Sequence, residues 1–366
     1  MSQRTRAKSR RRTLTEGLCT LGAIFVARRA PAFARQAATW SVLPGTAPLS
    51  SQYPGRGNWW GIVGPPAVLS AWNGWAWDQA GETAWLFGCG GHTDYGGNEV
   101  YRWRPTEGFA RLTEPDPLRG GVREGPALPV DAAGQPVARA PSVHTYSGQI
   151  YLDGVVHRFG GSPAWRGGFT KAVWRLDTRT LEHTEASAVE ARKVQVPSVV
   201  RDATSGLLFL HMIVNTGLVI DTDLAVVARA KLGTWGASTG YAIDEDRRLL
   251  VQLFTRKSHA KLHVYDLDDQ GLPSGHREVP IDDRLDRRIG RAIAYDPVGR
   301  RVIVWLDRVL AFDGAALREI EVANPVPSVK PSFGRGQYNR FSWAPSLGGF
   351  VTVIHPDDPG IVLRPS

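Results

Sequence analysis

One four-part pattern occurs twice in this chain, and its last part recurs almost to the C-terminus. In residues 83–104 and again in residues 155–177, an apolar run leads to a glycine pair, a polar loop and an aromatic run. The alternating large apolar residues predict strands, and glycine allows the turn that follows the first of them. The aromatic run begins in turn at Val100, Val173, Gly217, Val264, Val309 and Ile361. Its last five copies are 44 to 52 residues apart. This period is typical of four-stranded units, so the sequence predicts an all-β propeller of six blades.

In this interpretation, the first and the last strands of the domain belong to the same blade. The last blade reaches Ser366 after only three strands, whereas an unpaired strand pattern lies at residues 38–44. A propeller that completes its last blade with its N-terminal strand leaves no open sheet edge. The longer first interval contains a proline- and glycine-rich segment, about residues 106–140, which we interpret as an insertion. If that segment contained four further strands, the propeller would have seven blades.

Residues 1–34 have the features of an export signal. Arg10-Arg11-Arg12-Thr13-Leu14 resembles the twin-arginine motif, although Thr13 stands where phenylalanine is usual. A short apolar segment, residues 18–27, and a small-x-small cleavage site at residues 32–34 follow it. The alternative is a basic tail on a cytosolic protein. An export signal predicts a periplasmic or secreted protein whose single domain is residues 35–366.

Charge and cysteine content exclude several classes of protein. The chain has 44 basic and 35 acidic residues, but eight of the basic and one of the acidic lie in residues 1–34. The domain itself is nearly balanced, so we expect no nucleic-acid-binding surface. Cys19 would leave with the signal, and Cys89 alone cannot form an internal disulfide. No apolar run is long enough to span a membrane, and we expect a monomer.

The predicted topology brings polar side chains together at one end of the central channel. The loops between the second and third strands and the entries to the inner strands share this end. We predict that four residues there are catalytic: His92, Tyr95, His144 and Arg291. We predict that seven others bind the ligand: Asn73, Trp165, Lys257, His259, Tyr338, Asn339 and Arg340.

These side chains suit proton transfer and the binding of acidic groups. Histidine and tyrosine exchange protons with a substrate, and arginine pairs with a carboxylate or sulfate. Each residue also has a structural interpretation. His92 and Tyr95 would fix their loop by hydrogen bonds, His144 would be a satisfied channel histidine, and Arg291 would pair with Asp296. Trp165 would stack on a sugar or fill space between blades. The sequence has no metal or dinucleotide motif, and we predict no cofactor.

The glycine pair followed by an aromatic strand resembles the kelch repeat. The match is clear in the first two blades, at Gly90-Gly91 and Gly160-Gly161, and degenerate in the others. The chain therefore looks like an exported kelch-type propeller similar to galactose oxidase, and this resemblance covers roughly residues 38–366. It implies a glycan ligand. The copper centre of galactose oxidase requires a cysteine cross-linked to a tyrosine. Because Cys89 lies in the glycine turn and no tyrosine is placed beside it by the sequence, we do not expect copper oxidase activity.

Three functions remain open at the level of the sequence. We favour the binding of a carbohydrate, such as an acidic cell-envelope polysaccharide, at the mouth of the channel. The same residues suit a polysaccharide lyase, in which an arginine neutralises a uronate and a histidine and a tyrosine move the proton. A non-catalytic scaffold for a protein partner is the third possibility. No pair of acidic residues stands out at the mouth, which disfavours a glycosidase.

Overall fold

The computed structural model describes residues 37–122, 128–164, 168–186, 196–213, 216–232, 239–256, 259–281, 292–327 and 337–366. They belong to one compact unit, Gln36–Ser366, and the predicted export signal lies outside them. Within the described residues, six antiparallel sheets form the blades of an all-β propeller, as the repeat predicted. No helix among these residues is long and apolar enough to cross a membrane.

The strands are numbered in chain order, and the first of them, β1 (Thr39–Val42), belongs to the last blade. Blade 1 consists of β2 (Ala76–Asp78), β3 (Thr83–Phe87), β4 (Val100–Arg104) and β5 (Gly108–Arg111). A separate pair follows it, β6 (Leu118–Arg119) and β7 (Leu128–Pro129). Blade 2 consists of β8 (Val143–His144), β9 (Gln149–Leu152), β10 (Val155–Pro163), β11 (Thr170–Asp177) and β12 (His183–Ala186).

The remaining blades each have four strands. Blade 3 consists of β13 (Ser198–Arg201), β14 (Leu208–Ile213), β15 (Thr216–Ile220) and β16 (Val226–Ala230). Blade 4 consists of β17 (Thr239–Asp244), β18 (Leu249–Arg256), β19 (His259–Leu267) and β20 (Pro273–Pro280). Blade 5 consists of β21 (Ala292–Asp296), β22 (Arg301–Trp305), β23 (Val309–Phe312) and β24 (Leu317–Glu319). Blade 6 consists of β25 (Ser342–Ala344), β26 (Gly349–Thr352), β27 (Ile361–Arg364) and β1. The helical segments are short: α1 (Ala67–Ser70) and the 3-10 turns Leu49–Gln52 and Pro345–Leu347.

The inner strand of each blade lines the central channel, and successive inner strands contact one another: β2, β9, β13, β17, β21 and β25. The connections between second and third strands and the segments that enter the inner strands therefore lie at one end of the channel. We call this end the loop face and the opposite end the turn face. A channel cavity of about 540 Å³ contacts inner strands of all six blades and extends to residues just beyond their ends, such as Gln79 and Pro345.

The ring closes as the unpaired strand patterns predicted. Strand β1 pairs with β27, the third strand of blade 6, in the register Trp40 to Leu363. The Trp40 ring packs 4.8 Å from that of Trp305 in blade 5, and Asn324 bonds both the N–H and the C=O of Trp40. The N-terminal strand thus joins the last blade to its neighbour and removes an open edge.

Only part of residues 106–140 is an insertion, whereas the sequence suggested that the whole segment is one. Residues 108–111 are the fourth strand of blade 1, and the described part of the remainder contributes only the pair β6 and β7. The propeller therefore has six blades and not seven.

Blade 2 departs from the predicted alignment. The inner strand is β9 and not the segment that begins at His144, because β8 pairs only with the end of β10. A parallel bridge joins Tyr146, which precedes β9, to Asn73, which precedes the inner strand of blade 1. The glycine pair Gly160-Gly161 does not end its strand either. Its φ angles of +50° and +107° accompany a bulge that redirects β10, which continues to Pro163.

Candidate functional site

A pair formed by His144 and Asp94 is the centre of the candidate site on the loop face. His144 is 2% exposed at the end of β8, and its Nε2 lies 3.1 Å from Oδ2 of Asp94. Asp94 lies in the connection between β3 and β4, in a turn where its N–H donates to the C=O of Gly91. Its own C=O accepts hydrogen bonds from Val63 and Gly64. The carboxylate is therefore carried on a turn that is fixed from both sides.

A second histidine lies beside this pair at the surface. His92 is exposed, and its ring centroid is 5.8 Å from that of His144. Its Nδ1 is 3.4 Å from Oγ of Ser162 on β10. The N–H of His92 donates to Pro163 at 2.6 Å, and the N–H of Thr93 donates to Ala164. The bulged extension of β10 thus holds the loop that carries His92 and Asp94.

Three aromatic residues surround the buried side of His144 and the strand entries next to it. The Trp72 ring lies 4.8 Å from the His144 ring, and Tyr146 lies 6.0 Å from it. Tyr338 contacts Tyr146 edge to face at 6.0 Å. All three have left-handed backbones, with φ of +54°, +51° and +52°. Bulky residues rarely adopt this conformation, and such strain is concentrated at functional sites.

The left-handed residues of the loop face form a group of their own. His92 and Thr93 also have positive φ, at +39° and +66°. The other non-glycine residues with positive φ lie in the turns between adjacent strands of one blade: Glu82, Asp153, Leu181, Leu224, Arg248 and Arg300. Unusual backbone geometry outside these turns is thus concentrated around His144 in the described part of the chain.

The pair has the composition of a general base with an orienting carboxylate. An ionised carboxylate only accepts hydrogen bonds, so Nε2 of His144 carries the proton that faces Asp94. In such a pair Nδ1 is the other nitrogen that can take up a proton, and the carboxylate stabilises the imidazolium that then forms.

Tyr95 is directed away from the loop face, although it was predicted to be catalytic. It is fully buried, and its hydroxyl donates to Oε1 of Glu99 at 2.7 Å, as the hydroxyl of Tyr101 does at 2.8 Å. Burial and the neighbouring Glu99 raise the pKa of Tyr95 far above its usual range. A phenol in this position connects parts of blade 1, and its hydroxyl is not exposed at the loop face.

The two predicted asparagines also have structural contacts. Oδ1 of Asn73 accepts the N–H of Thr145 at 2.8 Å, and its amide donates to Ala67 at 2.9 Å. Oδ1 of Asn339 accepts the N–H of Trp75, and its amide donates to Trp75 and to Gln149. Asn339 therefore cross-links the inner strands of blades 6, 1 and 2 and does not present its amide to the loop face.

The predicted arginine contact at position 340 is also buried. Arg340 is 1% exposed, its Nε donates to Gln337, and burial lowers its pKa to about 10. Its predicted clamping of an acidic ligand is therefore not supported by its position. Of the other predicted residues, Arg291, Trp165 and Lys257 lie outside the described residues, as does the side chain of His259 at the start of β19. The alternative partner proposed for Arg291, Asp296, pairs with Arg301 at 3.0 Å.

The structure thus brings together three predicted residues, His92, His144 and Tyr338, and adds others. Asp94, Trp72, Tyr146 and Ser162 were not among the predicted site residues. A sequence signal for two of them exists, since an aromatic residue followed by asparagine or serine precedes three inner strands. It occurs at Trp72-Asn73, Tyr146-Ser147 and Tyr338-Asn339.

Comparison with solved structures returns other propellers. A gluconolactonase from Xanthomonas campestris matches with a TM-score of 0.50 and 12% identity, over 89% of this chain and 89% of its own. A periplasmic gluconolactonase from Pseudomonas aeruginosa matches with a TM-score of 0.40 and 16% identity, over 70% of this chain and 86% of its own. The likeness is one of fold. The X. campestris structure is not a kelch or galactose-oxidase protein, so this match supports the propeller part of the resemblance and not its kelch part. No family model and no curated protein matches the sequence.

Proposed function

We propose that this protein is an exported enzyme that binds a carbohydrate on the loop face and hydrolyses an ester or lactone bond in it. His144, oriented by Asp94, is the general base. The observation that carries the proposal is the 3.1 Å contact between these side chains, beside exposed His92 and among strained aromatic residues. The twin-arginine-like N-terminus supports export to the periplasm or beyond.

In this reaction His144 accepts a proton from water as the water oxygen bonds to the carbonyl carbon. The ring C–O bond then breaks, and the alkoxide that leaves takes the proton back from the imidazolium. Atoms and charge balance without a further reactant. Trp72, the partly exposed aromatic residue at these entrances, suits the apolar face of a sugar ring. Because the X. campestris gluconolactonase shares only the fold, it suggests a sugar lactone as the first substrate to test and nothing more.

The lyase alternative has less support. It requires a cation at the surface and a phenol or imidazole that reaches the substrate. Of the residues predicted for these roles, Tyr95 and Arg340 are buried, His92 is exposed and Arg291 lies outside the described residues. A non-catalytic carbohydrate-binding protein needs only the exposed part of the same face. Both alternatives are distinguished from hydrolysis by the experiment that follows.

The first prediction is that Asp94→Asn and His144→Gln each lower kcat/KM for a sugar lactone by about 10²–10⁴-fold, the contribution typical of a positioned base. Acid release from a panel of sugar lactones and esters is followed at constant pH, and the variants' folding is compared by circular dichroism. Asp223→Asn is the matched control, since Asp223 is exposed in the turn between β15 and β16 at the turn face.

Full activity in Asp94→Asn would exclude the proposed role of the pair. Ultraviolet absorbance from unsaturated uronates, with no acid release, would make the protein a lyase. Retardation of the protein by glycans in affinity gels, without turnover of any substrate, would make it a binding protein.

A further inference from the structure

The two outer strands of blade 4 bring three potential metal ligands to one surface, outside the site already described. His276 and Glu278 are two positions apart on β20, so their side chains project from the same side of that strand. His263 on β19 is the direct register partner of Glu278. His263 and Glu278 form a cross-strand pair, and His276 is the next residue on the same side of β20. The three side chains therefore converge at one place on the surface.

The distances between the ligand atoms suit a small cation. Nδ1 of His263 lies 2.9 Å from Nε2 of His276 and 3.6 Å from Oε1 of Glu278. All three atoms lie within 4.8 Å of one another. Nitrogen and oxygen atoms bound to a tetrahedral zinc ion at about 2.0–2.1 Å are about 3.3 Å apart. The two observed distances lie on either side of that value.

The two histidine rings differ in burial, and the exposed ring packs against an aromatic side chain. The side chain of His263 is 2% exposed, whereas His276 and Glu278 are exposed. The His276 ring is nearly parallel to that of Tyr265, with centroids 4.9 Å apart.

We propose that His263, His276 and Glu278 form a binding site for a divalent cation of the zinc class. In the ion's absence, Nδ1 of His263 and Nε2 of His276 share a hydrogen bond, which the ion would replace. Two imidazoles favour zinc and similar transition metals, whereas calcium and magnesium prefer oxygen ligands. Three protein ligands leave one position for water. The site lies at the outer edge of blade 4 and does not depend on the function proposed for the loop face.

One neighbouring charge opposes binding. Nζ of Lys261 lies 2.7 Å from Oε1 of Glu278, the oxygen that would bind the ion. The lysine must move before the carboxylate turns to the metal, and its positive charge repels the ion. Removing this charge should therefore strengthen binding, an effect in the opposite direction to the loss of a ligand.

The test measures Zn²⁺ binding to the untagged full-length chain, freed of metal by a chelator, by isothermal titration calorimetry at pH 7.5. We expect one ion per chain with a micromolar or lower Kd. His276→Ala and Glu278→Gln should each weaken binding by at least about tenfold, and Lys261→Gln should tighten it. Co²⁺ in place of Zn²⁺ should give tetrahedral visible absorption in the wild type that is absent in His276→Ala.

His355→Ala is the matched control, because Nδ1 of His355 lies 3.6 Å from the carboxylate of Asp357, a histidine–carboxylate pair outside the proposed site. It should leave stoichiometry and affinity unchanged. The proposal is overturned if the wild type binds no Zn²⁺ at micromolar concentration, or if His276→Ala and Glu278→Gln bind as the wild type does. Because these residues are exposed, their variants should fold normally, and circular dichroism provides an independent check of folding.

Discussion

At the scale of single residues, the buried group formed by Tyr95, Glu99 and Tyr101 shows how a loop residue becomes part of the core. Both phenols donate to Oε1 of a fully buried carboxyl group. Burial raises the pKa of Glu99, and these hydrogen bonds oppose that rise. The residue that the sequence suggested as a catalyst therefore contributes to stability.

We predict that Tyr95→Phe lowers the free energy of unfolding by about 1–3 kcal/mol, the usual cost of removing one partner of a buried hydrogen bond. It should leave kcat within about twofold of the wild type, because the hydroxyl does not face the loop surface. Chemical unfolding and the lactone assay measure the two quantities. Tyr295→Phe is the control, because Tyr295 bonds Asp246 at the surface, where the loss should stay below about 1 kcal/mol. A catalytic defect in Tyr95→Phe without a change in stability would contradict this assignment.

At the scale of elements, closure of the ring depends on the short strand β1. Its four residues pair with β27, and only Trp40 is buried among them, at 4% exposed. The Trp40 ring fills the space between blades 5 and 6 against Trp305. Most of the energy by which β1 holds the last blade should therefore come from one side chain.

We predict that Trp40→Ala lowers the free energy of unfolding by about 3–5 kcal/mol, the usual cost of removing a buried tryptophan. Val42→Ala in the same strand should cost less than about 1 kcal/mol, since Val42 is 45% exposed. Guanidinium unfolding of both variants makes the comparison. Similar losses in the two would mean that backbone pairing, and not the tryptophan, closes the ring.

At the scale of the whole molecule, buried neutral histidines make stability depend on pH. Burial lowers the pKa of His183 to about 3 and the pKa values of His157, His211 and His263 to about 4. Below a pH of about 6.5 the unfolded chain gains protons that the native state does not take up. Stability is therefore fully present above that pH and is lost as the pH falls towards 4.

We predict that the free energy of unfolding, measured in the presence of a chelator, falls steadily from pH 7 to pH 4.5. His183→Asn should reduce this slope, because an amide oxygen accepts the N–H of Ala140 as Nδ1 does at 3.0 Å but does not titrate. His92→Asn, at an exposed residue, is the control and should leave the slope unchanged. A wild-type curve that is flat over this range would contradict the assignment of neutral buried rings.

The repeat predicted the number of blades, the closing strand and the third strand of every blade. Each of these depends on side-chain periodicity and on spacing along the chain, which a sequence displays directly. The alignment failed at His144 in blade 2, where a left-handed residue, Tyr146, precedes the inner strand and the bulge at Gly160-Gly161 extends β10. Such local irregularities change which residue enters the strand without changing the periodicity.

By itself, the sequence determined the architecture of this protein and the end of the channel at which His92 and His144 meet. The tertiary structure alone decided which polar residues are available there. Tyr95, Asn73, Asn339 and Arg340 are used inside the fold, whereas Asp94 and His144, 50 positions apart, are in contact. The reason is physical. Whether a polar side chain faces solvent or satisfies a buried partner depends on contacts between blades, and residue type and spacing along the chain do not specify those contacts.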